Sequence, residues 1–173
     1  MKKVAVIASA SSSGKTTVGR TLASRLDVPF VELDALNHGP GWTEATGEEL
    51  RARVEPIVAG DAWVIDGGYR NKLGDLVLAA ADTVVWLDLP RREWVPRLVR
   101  RTIRRIVRRE ELWSGNRETI RNAFLRRDGL LQFAWRTYGV RRATYPAELA
   151  RFHVVRLRSQ REVDEWLSSI PAV

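Results

Sequence analysis

Short apolar runs alternate along the chain with longer amphipathic stretches. Five runs rich in Val, Ile, Phe or Trp, at Val4 to Ala8, Pro29 to Leu33, Trp63 to Ile65, Thr83 to Leu89 and His153 to Leu157, are too short for helices and read as strands. Near-continuous apolar runs of this length suit a parallel sheet covered by helices on both faces. Lys15 to Leu26 places Val18, Leu22 and Leu26 on one helical face, and Glu48 to Ala59 starts behind a Thr46/Glu49 capping box, with Pro56 expected to bend it. A last helix opens at Ser159, with Glu162 three residues on, and turns Val163, Trp166, Leu167 and Ile170 inward.

From Pro90 to Ala150 the strand rhythm stops. This stretch is dense in arginine, and Gly115, Gly129 and Gly139 interrupt its helical periodicity. Val95, Leu98, Val99, Ile103, Ile106 and Val107 form the stripe expected to pack its first helix down, opposite Arg97, Arg100, Arg101, Arg104, Arg105, Arg108 and Arg109. The expectation is one α/β domain over residues 1–173, with three layers, a five-stranded parallel sheet and an arginine-rich helical insertion over about 91–150.

Composition narrows the chemistry. With 173 residues, 45% hydrophobic and 29% charged, the chain has ordinary globular composition. The absence of cysteine excludes disulfides, thiolate metal sites and cysteine nucleophiles and fits a cytoplasmic setting, and no apolar stretch approaches the length of a membrane span. A formal charge of +8, almost all of it arginine, asks for an anionic partner: a nucleic acid held along a surface, or a nucleotide in a basic cleft.

The segment Ser9-Ala10-Ser11-Ser12-Ser13-Gly14-Lys15-Thr16 leaves the first strand and opens the first helix, the context in which a Walker A pattern acts as a phosphate loop. Backbone N–H groups of Ser11, Ser12, Ser13, Gly14, Lys15, Thr16 and Thr17, with the helix dipole behind them, are the expected cradle for ATP. Lys15 would bridge the terminal phosphates, and the Thr16 hydroxyl would ligate Mg²⁺, which prefers oxygen. Ser9 departs from the pattern, which has glycine there, and requires backbone angles open to a residue with a Cβ.

Together with Asp34, Val64-Ile65-Asp66-Gly67-Gly68-Tyr69-Arg70 and Trp86-Leu87-Asp88-Leu89-Pro90, this loop resembles the adenylate-kinase-like branch of P-loop kinases over almost the whole chain. Within that branch, Leu33-Asp34-Ala35, Pro40-Gly41-Trp42 and Val155-Arg156-Leu157-Arg158-Ser159 resemble bacterial proteins labelled DNA topology modulation proteins. The branch resemblance implies an acceptor-binding region after strand two and a mobile lid after strand four. It also implies Asp66 near Mg²⁺, Arg70 at an acceptor phosphate, Arg97 and Arg101 at the transferring phosphoryl group, and Arg158 beside the adenine.

Alternatives accompany these roles. Asp66 and Asp34 also suit turn-capping carboxylates, Asp34 the more so, Arg70 a solvated arginine, and most of the arginine row a wet surface. Glu111 to Arg117 reads as a lid tip or as a helix connection in which Asn116 caps the next helix. Asp34, at the carboxyl end of strand two, faces the ligand crevice of a parallel sheet and can orient a hydroxyl acceptor and take its proton, whereas Arg70 points to an acceptor carrying its own phosphate. The expected activity is transfer of the γ-phosphoryl group of ATP to a nucleoside monophosphate or a small hydroxylated metabolite; the alternative is a nucleic-acid-binding protein with a regulatory or vestigial nucleotide site.

Overall fold

A computed structural model describes residues 1–117, 119 and 129–172. Five strands, β1 (Lys3–Ala8), β2 (Phe30–Glu32), β3 (Trp63–Asp66), β4 (Thr83–Leu87) and β5 (Val154–Leu157), form one sheet in the order β2-β3-β1-β4-β5. Every pairing is parallel, and β1 occupies the middle, with Ala5 opposite Ile65 on one side and Val84 on the other. All five strands expected from the apolar runs are present. Strand β2 is the short one, because Leu33 already belongs to the helix that follows.

Alternate residues of the buried strands feed two cores, as the pleat requires. Val4, Val6, Val64, Val85 and Leu87 meet α1 (Lys15–Leu26) and the final helix, through Val18, Leu22, Ala23 and Val163. Ala5, Ile7, Trp63, Ile65, Val84 and Trp86 meet the opposite layer. That layer holds α2 (Leu33–Asn37), α3 (Gly47–Ala59), α4 (Arg70–Leu73) and α5 (Leu76–Ala80), contributing Leu33, Leu50, Val54, Leu73, Val77 and Leu78. Burial of such aliphatic and aromatic side chains is worth roughly 1.5–3 kcal/mol each before the entropy of ordering is set against it. Gly19 of α1 is fixed by packing: a Cβ there would lie 2.6 Å from the Phe30 ring.

The caps fall where the sequence puts them. Thr46 and Glu49 form a reciprocal capping box on α3, and Pro56 is carried inside that helix, which runs on to Ala59. The insertion after β4 contains α6 (Arg91–Val107), a short 3-10 turn (Trp113–Gly115) and α7 (Leu130–Glu148), before β5 and α8 (Gln160–Ser169) close the fold. Residues 118 and 120–128 of the expected insertion lie outside the described residues.

Two expectations for the insertion need correction. The buried stripe of α6 is Trp94, Leu98 and Thr102, while Ile103 and Val107 are 51% and 75% exposed. Trp94 and Leu98 pack on Ala134 and Tyr138 of α7 and on Ala10, so the helix rolls its N-terminal half onto α7 and leaves those two apolar side chains outward. Gly139 does not break α7: it lies within the helix, its Cβ side facing open space.

Candidate active site

The cleft forms at the carboxyl end of β1, the middle strand, where parallel α/β sheets bind ligands. From Ser9 the chain turns into α1 through two left-handed residues, Ser12 (φ 61°) and Gly14 (φ 92°). The Ser13 hydroxyl donates to the Ala10 carbonyl at 2.9 Å and pins the turn. Ser9 itself avoids the left-handed region. Fully buried, it donates its hydroxyl to Asp88 Oδ1 and accepts the Trp86 indole N–H, both at 2.9 Å. The departure from glycine is therefore a polar anchor for the root of the loop.

Lys15 and Thr16 converge on one carboxylate. Lys15 Nζ lies 3.3 Å from Asp66 Oδ1, and Thr16 Oγ1 donates to Asp66 Oδ2 at 2.6 Å. Asp66 ends β3 and is 3% exposed, so the sheet sets its position. The hydroxyl–carboxylate pair is a hard-oxygen corner suited to Mg²⁺, which keeps most of its own waters, and the hydroxyl of Ser12, another residue of the cleft, is buried without a protein partner. An added Cβ at Gly14 would meet nothing within 4 Å, leaving the backbone open to close approach by a phosphate. The residues present therefore fit a nucleotide triphosphate with its metal.

Opposite the loop, Arg97, Arg100, Arg101, Arg104 and Arg105 of α6 line the same cleft of about 1020 Å³ as residues Ser12 to Thr17 and Arg20. The structure thus brings together Ser12, Ser13, Gly14, Lys15, Thr16, Thr17, Arg97 and Arg101, and Asp66 reaches the cleft through Lys15 and Thr16. Glu32 borders it, next to Asp66 in the sheet register, with Arg20 at 3.6 Å. Burial, then the neighbouring Asp66 and Asp34 carboxylates, push the Glu32 carboxyl up from the ordinary glutamate range. At the far end Gln160, Asp164 and Leu167 of α8 face the cleft.

Other expected residues are not in the cleft lining, although Asp34 lies close enough to the lining residue Glu32 to act on its carboxyl. Arg158 is exposed and gives its backbone N–H to Glu162, while Gln160 and Asp164 take the cleft wall near it. Arg70 is held by Asp75, at 2.8 Å, and by Glu148. Asp34 stands in the first turn of α2, where Tyr69 donates its hydroxyl to Oδ1 at 2.6 Å. Ser11 is half-buried in the loop but does not face the cleft.

Two connections roof this side. The 3-10 turn Pro40–Trp42 and the turn Trp113–Gly115 are clasped by Asn116, whose Oδ1 accepts the Trp42 N–H and whose Nδ2 donates to the Gly39 and Trp113 carbonyls. His38 stacks on Trp113 at 5.6 Å and meets Trp42 edge-on at the same separation. Ser114 adds a bond to the His38 carbonyl. Sequence reasoning missed this clasp and the roles of Ser9, Tyr69 and Asp88. The visible signals of the clasp are the tryptophans beside glycine-bearing turns and Asn116, which the sequence offers as a helix cap and which here binds the two turns together.

The parallel strand order, with the loop from the central strand into α1 and the helical insertion after β4, is a fold that the chain shares with solved shikimate kinases. The chain is similar to the shikimate kinase from Acinetobacter baumannii solved with shikimate, at 18% identity and TM-score 0.58 over 98% of this chain and 91% of that one. It is also similar to a gluconokinase from Sinorhizobium meliloti (20% identity, TM-score 0.53, 98% and 93% covered) and to the shikimate kinase from Aquifex aeolicus (15%, 0.55, 96% and 92%). No protein-family model and no curated protein sequence matches the chain. Among the described residues, no helix is long and apolar enough to cross a membrane.

Proposed function

We propose that this protein transfers the γ-phosphoryl group of ATP to a hydroxyl of a small, hydroxylated, anionic acceptor. The observation that carries the reading is the meeting of Lys15 and Thr16 on buried Asp66, in a cleft whose opposite wall is the arginine row of α6. Structural neighbours whose names are those of kinases acting on hydroxylated small molecules support the same class.

Between the two acceptor types, the hydroxyl acceptor is favoured. Arg70, the expected grip for an acceptor phosphate, is occupied by Asp75 and Glu148, whereas Asp34, two residues beyond the cleft-lining Glu32, is oriented by Tyr69 through Oδ1. Asp34 orients the acceptor hydroxyl and takes its proton as the oxygen bonds to the γ-phosphorus and the bond to the β-phosphate oxygen breaks, releasing ADP. Backbone N–H groups of the loop and Lys15 hold the phosphates, and Arg97 and Arg101 meet the charge spread over the equatorial oxygens. Thr16 and Asp66 are the residues that would hold Mg²⁺, which when bound would supply further charge neutralisation. The finer likeness to DNA topology modulation proteins rests on Leu33-Asp34-Ala35, Pro40-Gly41-Trp42 and Val155-Arg156-Leu157-Arg158-Ser159, and this reading assigns the first two segments to the acceptor.

The test is a transfer screen with labelled ATP across polyhydroxylated acids, nucleosides and nucleoside monophosphates. Label on a hydroxylated acid, lost in Asp34→Asn, supports the reading. Transfer only to nucleoside monophosphates, or to none, contradicts it.

A further inference from the structure

The root of the phosphate loop is tied to the returning helix of the insertion through a buried carboxylate. Asp88 follows β4 and is fully buried. Its Oδ1 accepts the Ser9 hydroxyl, and its Oδ2 accepts Arg156 Nε and Nη2 at 3.1 and 2.6 Å. Arg142 of α7 reaches the same Oδ2 at 3.6 Å, an ion pair rather than a hydrogen bond, and its side chain is 47% exposed. Arg156 lies on the sheet itself, stacked 4.1 Å over Trp86, the residue that donates to Ser9.

Three consecutive residues at the root of the loop thus report to α7. The Ala8 carbonyl accepts from Arg141, Ser9 connects through Asp88 to Arg142, and Ala10 packs with Ala134 and Tyr138. Tyr138 also accepts Arg142 Nη1 at 2.6 Å, which fixes the guanidinium between helix and carboxylate. A buried carboxylate must keep a counter-charge, and Arg156 provides one wherever α7 sits. Arg142 is the conditional partner, present at Asp88 only when α7 is docked.

We infer that Arg142 is a positioning residue that acts through Asp88 and Ser9 to set the phosphate loop, so that docking of α7 and nucleotide binding are coupled. The inference rests on the phosphate-loop reading above. Coupling of this kind is reciprocal: a nucleotide that prefers the set loop favours docked α7, and docked α7 favours the nucleotide.

The experiment is a titration of ATP·Mg²⁺ into four proteins: wild type, Arg142→Ala, Ser9→Ala and the double variant. It needs no acceptor. Arg142→Ala is expected to weaken ATP by roughly tenfold, and by no further factor once Ser9→Ala has cut the path, because side chains acting in one network are not additive. Arg142→Lys should retain part of the affinity that Arg142→Ala loses, and Arg136→Ala, which removes an exposed arginine of the same helix, should bind ATP as wild type does. Wild-type affinity in Arg142→Ala, or losses that multiply in the double variant, overturns the inference. Should Ser9→Ala not fold, Ser9→Gly serves in the cycle with the same criteria. No ATP binding by wild type would instead overturn the phosphate-loop reading beneath it.

Discussion

Asp66 has two partners and two possible consequences. It is nearly fully buried, yet Lys15 and Thr16 are both partly exposed, so a neutral isostere leaves polar groups that water can reach. Asp66→Asn should therefore lower Mg²⁺-dependent turnover by roughly a hundredfold or more while moving the melting temperature by only a few degrees; parallel loss of folding and activity would assign it to the turn instead. Glu32 carries a sign. Its carboxyl is raised by burial and by Asp66 and Asp34, so the folded chain holds that proton to higher pH than the unfolded chain does. Its contribution is full below the ordinary value of 4.5 and is lost as pH rises through the raised one. Glu32→Gln should melt above wild type at neutral pH, with the gap closing toward about pH 4, as thermal melts across that range would show; a gap that ignores pH would contradict it. The reactive residues of the loop were legible because strand, serines, Gly14, Lys15 and Thr16 are contiguous. Asp88 was not: before Pro90 it reads as the end of a strand, and only the pairing of Trp86 with Arg156 across β4 and β5 brings its counter-ion into place.

Among the elements, α3 and α8 follow their caps, since Thr46 and Ser159 satisfy orphan N–H groups by local geometry that sequence spacing encodes. Helix α6 does not follow its stripe. Periodicity reports which face is apolar, but α6 divides its surface between α7 and the cleft, and the choice between them is tertiary. On the proposed function the arginines toward the cleft act on the transferring phosphoryl group: Arg97→Ala and Arg101→Ala should slow turnover roughly tenfold to a thousandfold, with ATP affinity falling less, if their contacts strengthen in the transition state. Steady-state kinetics with separate nucleotide titration distinguishes that from simple loss of binding. The tip of the insertion is held by Asn116, which spends all its hydrogen bonds on the two turns. Asn116→Ala should raise hydrogen exchange in residues 37–45 and 111–117 and redden the indole fluorescence of Trp42 and Trp113; unchanged exchange would mean that the rings alone hold the roof.

At the scale of the molecule, the charge excess is organised. Five arginines of α6, with Lys15 and Arg20, face one cleft that holds Glu32, Glu111 and Asp164 as its acids, so the basic character visible in the composition is focused where phosphates are expected to sit. The βαβ rhythm made the five strands and the layers readable, because near-continuous apolar runs suit parallel strands buried on both faces, whereas the strand order came only from the structure. The proposed acceptor side was less readable, since it is assembled from residues far apart in sequence, Asp34 with Tyr69 and Gly39 with Asn116. The most direct measurement is transfer of the γ-phosphate of labelled ATP to a hydroxylated acceptor by wild type and Lys15→Ala, with folding of both checked by circular dichroism. The account predicts Mg²⁺-dependent transfer by wild type and a loss of roughly a hundredfold or more in the variant. Equal transfer by the two folded proteins would contradict it.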